Sequence, residues 1–337
     1  MSTSTDILIV STTGDRIMSD LVSRAVQDRG HKCHILETDL FPETVRLHLA
    51  QNPKCAGSFD LFLNETVVRL QDIAGVWYRR VAFPALEEMD PTYRDHSQQE
   101  SHKTLQSVFA AMHRALWVDP VPRVLQGHHK VMQLEIAREV GLDIPDTLTT
   151  NDPVAARAFY DRHEGQIVTK MTHSFAVYED GDERVVFTTP VEAADLEVLA
   201  DIRLCPMIFQ EKISKLVELR VTAIGDRLFV ASIDASGSDI GKDDWRRDGH
   251  GLAGKFVEDE IPPELEKKLV EFMKRMGLIY GAIDIIRTPD GRHLFLEVNS
   301  AGEWGWIEME VGHPIAQELA GVLTRQIPVS RPAPTIL

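Results

Sequence analysis

Cysteine is scarce in this chain: Cys33, Cys55 and Cys205 are the three in 337 residues, far apart and in no metal-ligand spacing. That scarcity excludes a disulfide framework and fits reduced thiols in a cytoplasm. Basic charge is also short, with 36 Lys and Arg against 52 Asp and Glu and a formal net charge of −16. A sequence-independent nucleic-acid binder would show a basic excess, so that class is not expected. No apolar run approaches the length of a membrane span. Met1 to Asp6 is polar and lacks the basic and apolar regions of a signal peptide. The expected setting is the cytoplasm, with neither membrane nor nucleic acid as partner. The hydrophobic fraction of 43% and charged fraction of 26% are those of an ordinary globular protein. The length predicts two or three lobes, since one core seldom grows that large.

The start of the chain predicts a strand, a helix and a second strand over Asp6 to Thr12, Arg16 to Arg29 and Lys32 to Glu37. Thr12-Thr13-Gly14-Asp15 is not a GxGxxG fingerprint, so no dinucleotide site is expected in this Rossmann-like half. Residues 44–63 predict a hairpin around Asn52-Pro53, and Ile73 to Arg80 a strand ending in two arginines. Arg79 and Arg80 either grip a carboxylate or phosphate or form a solvated basic corner. Asp95 to Trp117 carries a helical apolar stripe through Leu105, Val108, Phe109, Met112 and Leu116. Pro120, Pro122 and Gly127 predict a linker.

Beyond it, Lys130 to Val140 predicts a helix, and Asp152-Pro153 caps the next one. A strand over Gln166 to Met171 carries Lys170. Glu179, Asp180, Gly181, Asp182 and Glu183 form an acidic hairpin tip, followed by a predicted helix over Pro190 to Ala200. Strands are predicted over Met207 to Glu211, Lys215 to Ile224 and Arg227 to Ile233. Residues 234–255 are a polar, Gly-rich loop, and helices follow over Pro262 to Met276 and His313 to Gln326.

The stretch 278–308 predicts two strands around Pro289-Asp290-Gly291, a strong turn signal. Alternation sets Ile283 and Ile285 against Asp284, and Leu294, Leu296 and Val298 against Phe295, Glu297 and Asn299. Asp284, Glu297 and Asn299 then converge as a hard, all-oxygen set suited to Mg²⁺, or form only a solvated polar face.

Taken in order, Lys130 opens a helix, Lys170 sits in a strand, and Gln210-Glu211-Lys212-Ile213 joins two lobes. Glu218-Leu219-Arg220-Val221 follows on a strand, then Asp284, Glu297 and Asn299. This ordered set resembles the ATP-grasp superfamily, in which two α+β lobes hold ATP between them. The resemblance spans roughly residues 120 to 326. It implies a mixed α/β and α+β chain: an N-terminal Rossmann-like pre-ATP-grasp domain (1–122), then a two-lobed ATP-grasp fold. The central lobe with the acidic hairpin is 123–209, the C-terminal lobe with the metal site 210–326, and the flexible tail 327–337.

On that resemblance Lys130, Lys170 and Arg220 meet the ATP phosphates, and Glu211, Lys212 and Ile213 the adenine edge. Glu218 takes a ribose hydroxyl or orders Arg220. Asp284, Glu297 and Asn299 hold Mg²⁺, as two ions. Asp244-Trp245-Arg246-Arg247, Gly302-Glu303-Trp304-Gly305-Trp306-Ile307-Glu308 and Val76-Trp77-Tyr78-Arg79-Arg80 before Pro84 narrow the resemblance. They are similar to the maturases of microviridin-type peptides (graspetides), which cross-link a ribosomal precursor peptide through its side chains.

The activity so implied is ATP-dependent phosphorylation of Asp or Glu side chains and their joining to Ser/Thr hydroxyls or Lys amines, by a protein that pairs as a homodimer. Catalysis then falls to Arg220, Arg246 and Lys170. Substrate contacts fall to Arg79, Arg80, His173, Arg247, Glu303, Trp304 and the acidic tip Glu179, Asp180, Asp182 and Glu183, which is either a dock for a basic leader segment or a solvated turn. Trp304 and Trp306 alternatively pack a core, and His173 or His250 either assists deprotonation or is structural. A ligase acting on a small molecule or protein C-terminus, like glutathione synthetase, would share every nucleotide residue. A non-catalytic nucleotide- or peptide-binding module would not need the whole charged set.

Overall fold

Ile7, Leu8, Ile9 and Val10 are all fully buried, because the strand they belong to, β1 (Asp6–Ser11), is central in a parallel sheet covered on both faces. The computed structural model describes residues 5–53, 55–171, 176–179, 182–185, 188–235, 237, 254–326 and 329, with the backbone alone at 55, 56, 176–179 and 182–185. Helix α1 (Arg16–Gln27) and strand β2 (Cys33–Glu37) complete the first unit. Strands β3 (Val45–Asn52), β4 (Cys55–Leu63) and β5 (Thr66–Arg69) form a separate antiparallel sheet, one strand more than the hairpin that the sequence predicts. Strand β6 (Ile73–Tyr78) returns beside β1, ending before the two arginines.

Helix α2 (Pro91–Ala111) begins on Asp90, whose carboxylate accepts from the Thr92 N–H at 2.8 Å. It stops six residues short of the expected end, and Leu116–Val118 is strand β7, paired parallel with β6. The apolar spacing runs on because Leu116 is buried as the predicted stripe requires, but from a strand. The four-stranded order is β2-β1-β6-β7. The expected linker is also corrected: Val121–Gly127 is helix α3, since Pro122 lies in the first turn, where a missing N–H costs no hydrogen bond.

Helix α4 (Lys130–Glu139) leads to strand β8 (Thr147–Thr150) and helix α5 (Pro153–Arg162), which Asp152 caps through the Val154 N–H at 2.9 Å. Strands β9 (Ile167–Lys170), β10 (Ala176–Glu179), β11 (Asp182–Val185), β12 (Thr189–Pro190) and β13 (Met207–Glu211) follow. An antiparallel sheet of order β12-β9-β13-β8 carries a small core of Ala156, Phe159, Ile167, Val191, Ile202 and Phe209. β10 and β11 pair as a hairpin. Where a helix over Pro190 to Ala200 is expected, Pro190 ends a strand and two 3-10 turns, Ala193–Glu197 and Leu199–Leu204, follow.

The last sheet has the order β16-β15-β14-β17-β18, all antiparallel: β14 (Val217–Ile224), β15 (Arg227–Ile233), β16 (Val257–Glu258), β17 (Tyr280–Arg287) and β18 (His293–Asn299). Helix α6 (Pro263–Met276) covers one face and ends on Gly277, at φ +71. Helix α4 packs beside it, with Ala137 in the same core as Leu219, Val221, Leu269, Phe272, Ile283 and Ile285. Residues next to β8 in sequence thus pack on the last sheet. Helices α7 (Gly305–Val311) and α8 (Ile315–Leu323) end the described fold, and Leu319 and Val322 of α8 share a core with Ile7, Ile9 and Val22. The stretch at α7 was not expected to be helical. Among the described residues, no helix is long and apolar enough to cross a membrane.

Candidate active site

Three adjacent strands and the start of helix α4 bring four charged side chains into one line. Arg220 on β14 lies opposite Asp284 on β17, and Asp284 lies opposite Glu297 on β18. Arg220 donates to Asp284 at 2.7 Å, and the Lys130 ammonium, at the start of α4, donates to Glu297. Along the line Lys130, Glu297, Asp284, Arg220, the two neighbouring carboxylates are flanked by a cation on each side. The four side chains keep only 20%, 16%, 18% and 10% exposure, so their fields are screened less than those of surface pairs.

A bulge makes this alignment possible. The β17–β18 register shifts between Asp284 and Ile285, so that Ile285 faces Phe295 while Asp284 faces Glu297. Strict alternation places Phe295 on the polar face; the structure instead puts it in the core with Ile283, Ile285 and Val298. The extra residue, Leu296, lets Glu297 and Asn299 keep the polar side.

Gln133 holds the end of β18 in place. From one turn along α4 its buried amide donates to the Val298 carbonyl at 3.0 Å and accepts from the Val298 N–H at 2.9 Å. Val298 separates Glu297 from Asn299, so Gln133 acts as a substitute neighbour strand beneath both. Sequence reading missed it, although its spacing of three from Lys130 places both on one helix face. Asn299 is exposed, lies opposite Ala282, and its Oδ1 accepts from the Ala301 N–H at 2.9 Å.

Two carboxylates in register and a neighbouring amide oxygen fit a hard divalent cation by donor type. Among the described residues, no group of three or more His, Cys, Asp and Glu could hold a metal ion. A third protein oxygen would therefore come from an amide such as Asn299. Elsewhere, Lys170 ends β9 opposite Ile208, half-buried. The Glu211 and Lys212 N–H groups donate to the carbonyls of Asp146 and Gln166 at 2.9 and 3.0 Å. Glu218 accepts from Lys215 at 2.7 Å.

Comparison with known families places the whole arrangement. The "MvdD pre-ATP grasp domain" matches residues 6–125, and the "RimK-like ATP-grasp domain" matches residues 127–323, more than half of the chain. The chain belongs to the RimK-like ATP-grasp family. Its fold is the mixed α/β architecture of a pre-ATP-grasp domain followed by an ATP-grasp domain. A solved Chryseobacterium gregarium RiPP-associated ATP-grasp ligase, in complex with ADP and a leader and core peptide, is 32% identical. The match covers 99% of this chain and 100% of that one, with a TM-score of 0.92. The macrocyclase MdnC from Microcystis aeruginosa MRC, bound with precursor peptide MdnA, is 35% identical over 95% of this chain and 99% of that chain, at a TM-score of 0.85. A "Probable alpha-L-glutamate ligase 1" from Shewanella sp. (strain MR-4) is 32% identical over 110 residues, 33% of this chain and 35% of that protein. That match spans about a third of the relative's own length.

Two expected substrate contacts of this ATP-grasp chain lie in its interior. Arg79 is 1% exposed; its Nε lies 3.0 Å from one Asp15 oxygen, and it donates to the other at 3.2 Å and to the Ala301 carbonyl. Burial lowers its pKa, against the pull of Tyr280 and Asp15. Trp304 is fully buried with its ring 6.3 Å from that of Trp77, so it packs a core that joins the two domains. Trp306 packs on Phe256 at 4.1 Å. Arg80 and Glu303 stay exposed and pair with each other at 2.7 Å. His173, Asp180, Arg246, Arg247 and His250 lie outside the described residues, as do the side chains of Glu179, Asp182 and Glu183.

Proposed function

We propose that this chain is an ATP-dependent macrocyclising ligase that joins Asp or Glu side chains of a ribosomal precursor peptide to Ser/Thr hydroxyls or Lys amines of the same peptide. The observation that carries this choice is coverage. Likeness to a peptide-bound ligase runs through both domains, whereas likeness to a glutamate ligase is confined to 110 residues.

A carboxylate resists attack until one oxygen becomes a good leaving group. In the proposed reaction a substrate carboxylate oxygen bonds to the γ-phosphorus of ATP, and the bond to the bridging oxygen breaks, releasing ADP. A hydroxyl or amine of the peptide then attacks the acyl carbon; phosphate leaves with its oxygen, and the attacking group gives up a proton. The net result is an ω-ester or ω-amide and a peptide lighter by one water per bond.

Lys130 and Lys170 would take the phosphates as point charges, and Arg220 would face the transferring phosphoryl with two donors. Glu211 to Ile213 would meet the adenine, and Glu218 a ribose hydroxyl. Asp284, Glu297 and Asn299 would hold Mg²⁺, which neutralises charge on the phosphate oxygens when bound. The ion pairs support this assignment. Lys130 and Arg220 pair with the two carboxylates, and on nucleotide binding would exchange carboxylate oxygen for phosphate oxygen.

Arg246 is assigned to the acyl phosphate, with Arg247, Arg80, Glu303 and His173 at the peptide and the acidic tip 179–183 at its leader. Two Mg²⁺ ions, a cytoplasmic setting and a homodimer complete this reading; the last rests on family resemblance alone.

The test is phosphate release from ATP by the full chain. Stimulation by a Ser/Thr/Lys- and Asp/Glu-rich ribosomal peptide supports the reading. Stimulation by free glutamate alone would move it to the glutamate-ligase class.

A further inference from the structure

Three consecutive carbonyls after β18 each receive a donor from a different part of the chain. Arg79, at the exit of β6 in the pre-ATP-grasp domain, donates to Ala301. Tyr280, at the start of β17, donates its hydroxyl to Gly302 at 2.6 Å, and Arg220 on β14 donates to Glu303 at 3.2 Å. All three donor residues are buried, at 1%, 2% and 8% exposure of the whole residue. The loop leaves no slack: a Cβ on Gly302 would lie 2.3 Å from the Ala282 Cβ and 3.1 Å from an Arg220 nitrogen.

The loop in turn orients the residues at the site. The Ala301 N–H donates to Asn299 Oδ1 at 2.9 Å, the Gly302 N–H donates to the Asn299 carbonyl at 3.2 Å, and the Arg220 guanidinium that holds Glu303 also holds Asp284. The Ala301 carbonyl that Arg79 holds and the Ala301 N–H that holds Asn299 flank one Cα, so a shift of residue 301 would turn the Asn299 amide. Moving Glu303 would pull Arg220 from Asp284.

We propose that Arg79 and Tyr280 are positioning residues for the metal-binding end of β18, Arg79 acting from the pre-ATP-grasp domain and Tyr280 from within the ATP-grasp domain, so that both domains set the geometry of the nucleotide site. Neither touches substrate; both act through the carbonyls of 301 and 302 on Asn299. Asp15 belongs to the same device, since it accepts from one terminal Arg79 nitrogen, lies 3.0 Å from Nε, and leaves the other terminal nitrogen for Ala301. This inference rests on Asp284, Glu297 and Asn299 being the Mg²⁺ face, as in the proposed function.

The test uses the full chain, with ADP binding measured by calorimetry over a series of Mg²⁺ concentrations and melting without either ligand as a folding control. Arg79→Lys keeps a cation for Asp15 but cannot fork to Ala301. Tyr280→Phe removes one hydroxyl and keeps the ring, so it reads the same effect if the buried arginine cannot be changed without unfolding. Each variant is expected to need about tenfold more Mg²⁺ for half-maximal ADP binding, the size typical of groups that orient metal ligands, with binding restored at saturating Mg²⁺. Asp284→Asn is the control for the site itself. If it raises the Mg²⁺ requirement while Arg79→Lys and Tyr280→Phe match the parent, the positioning role is wrong and the metal face stands. If Asp284→Asn also matches the parent, the metal face is wrong and the positioning role goes with it.

Discussion

Arg220 donates to Asp284 at 2.7 Å from the position directly opposite on the neighbouring strand, and with its other terminal nitrogen it holds the Glu303 carbonyl. One guanidinium therefore ties a carboxylate of the proposed metal face to the loop that follows that face.

Arg220→Lys is expected to lower ATP turnover by about 100-fold or more, the range found when a preorganised donor is removed from developing charge. An ammonium keeps the charge but cannot reach both partners in one plane. Phosphate release at saturating ATP checks this, and turnover within a few-fold of the parent would remove Arg220 from the mechanism.

Gln133→Leu leaves the N–H and carbonyl of Val298 without their amide partner in a buried place. The expected loss is about 1–3 kcal/mol of stability for each polar group left unsatisfied, read from chemical denaturation. A weaker affinity for Mg²⁺-ADP should accompany it, because Glu297 and Asn299 flank that residue. An unchanged denaturation midpoint would show that β18 does not need the clamp.

Asp119 offers a pH signature. It is buried, and its carboxylate accepts from the Ile279 and Tyr280 N–H groups at 2.8 and 2.9 Å. Burial outweighs those donors and pushes its pKa from 3.8 up to about 7. The folded chain then binds a proton between those values that the unfolded chain does not. The stability this contributes is full below the unfolded value and is lost as pH rises toward 7. The melting temperature of the parent should thus fall more steeply from about pH 4 to about pH 7 than that of Asp119→Asn. Parallel curves would contradict the assignment.

Trp304→Ala removes a fully buried ring that packs on Trp77. The expected cost is about 3–5 kcal/mol, typical of emptying a large aromatic site. Thermal or chemical unfolding checks it. A loss of peptide-stimulated turnover with stability intact would instead return Trp304 to the substrate site.

The local parts of this fold were legible in the sequence, and its long-range parts were not. Asp152-Pro153 at a helix start is a signal carried by two residues, and periodicity located four of the five strands of the last sheet, β16 with its two residues being too short to show a period. The convergence of Asp284 with Glu297 also followed from alternation, yet Phe295 went to the wrong face because a bulge breaks the period of two without marking the composition. Helix α2 was overrun because a strand residue, Leu116, happened to continue its apolar stripe. For Arg79 the sequence leaves a grip on a carboxylate or phosphate and a solvated corner both open, because its partner carbonyl lies 222 residues away and a buried arginine looks like an exposed one until that partner is known. Likewise α4 sits beside β8 in sequence and beside α6 in space, so the proximity of Gln133 to Val298 had no local trace.

The most direct test of the central claim is the mass of the product. The full chain is incubated with ATP, Mg²⁺ and a precursor peptide encoded beside its gene, and the peptide is weighed. The account predicts a loss of one water for each bond formed, dependent on ATP, with methanol treatment reversing esters and sparing amides. A peptide of unchanged mass despite ATP turnover, or one heavier by a glutamate residue, would contradict it.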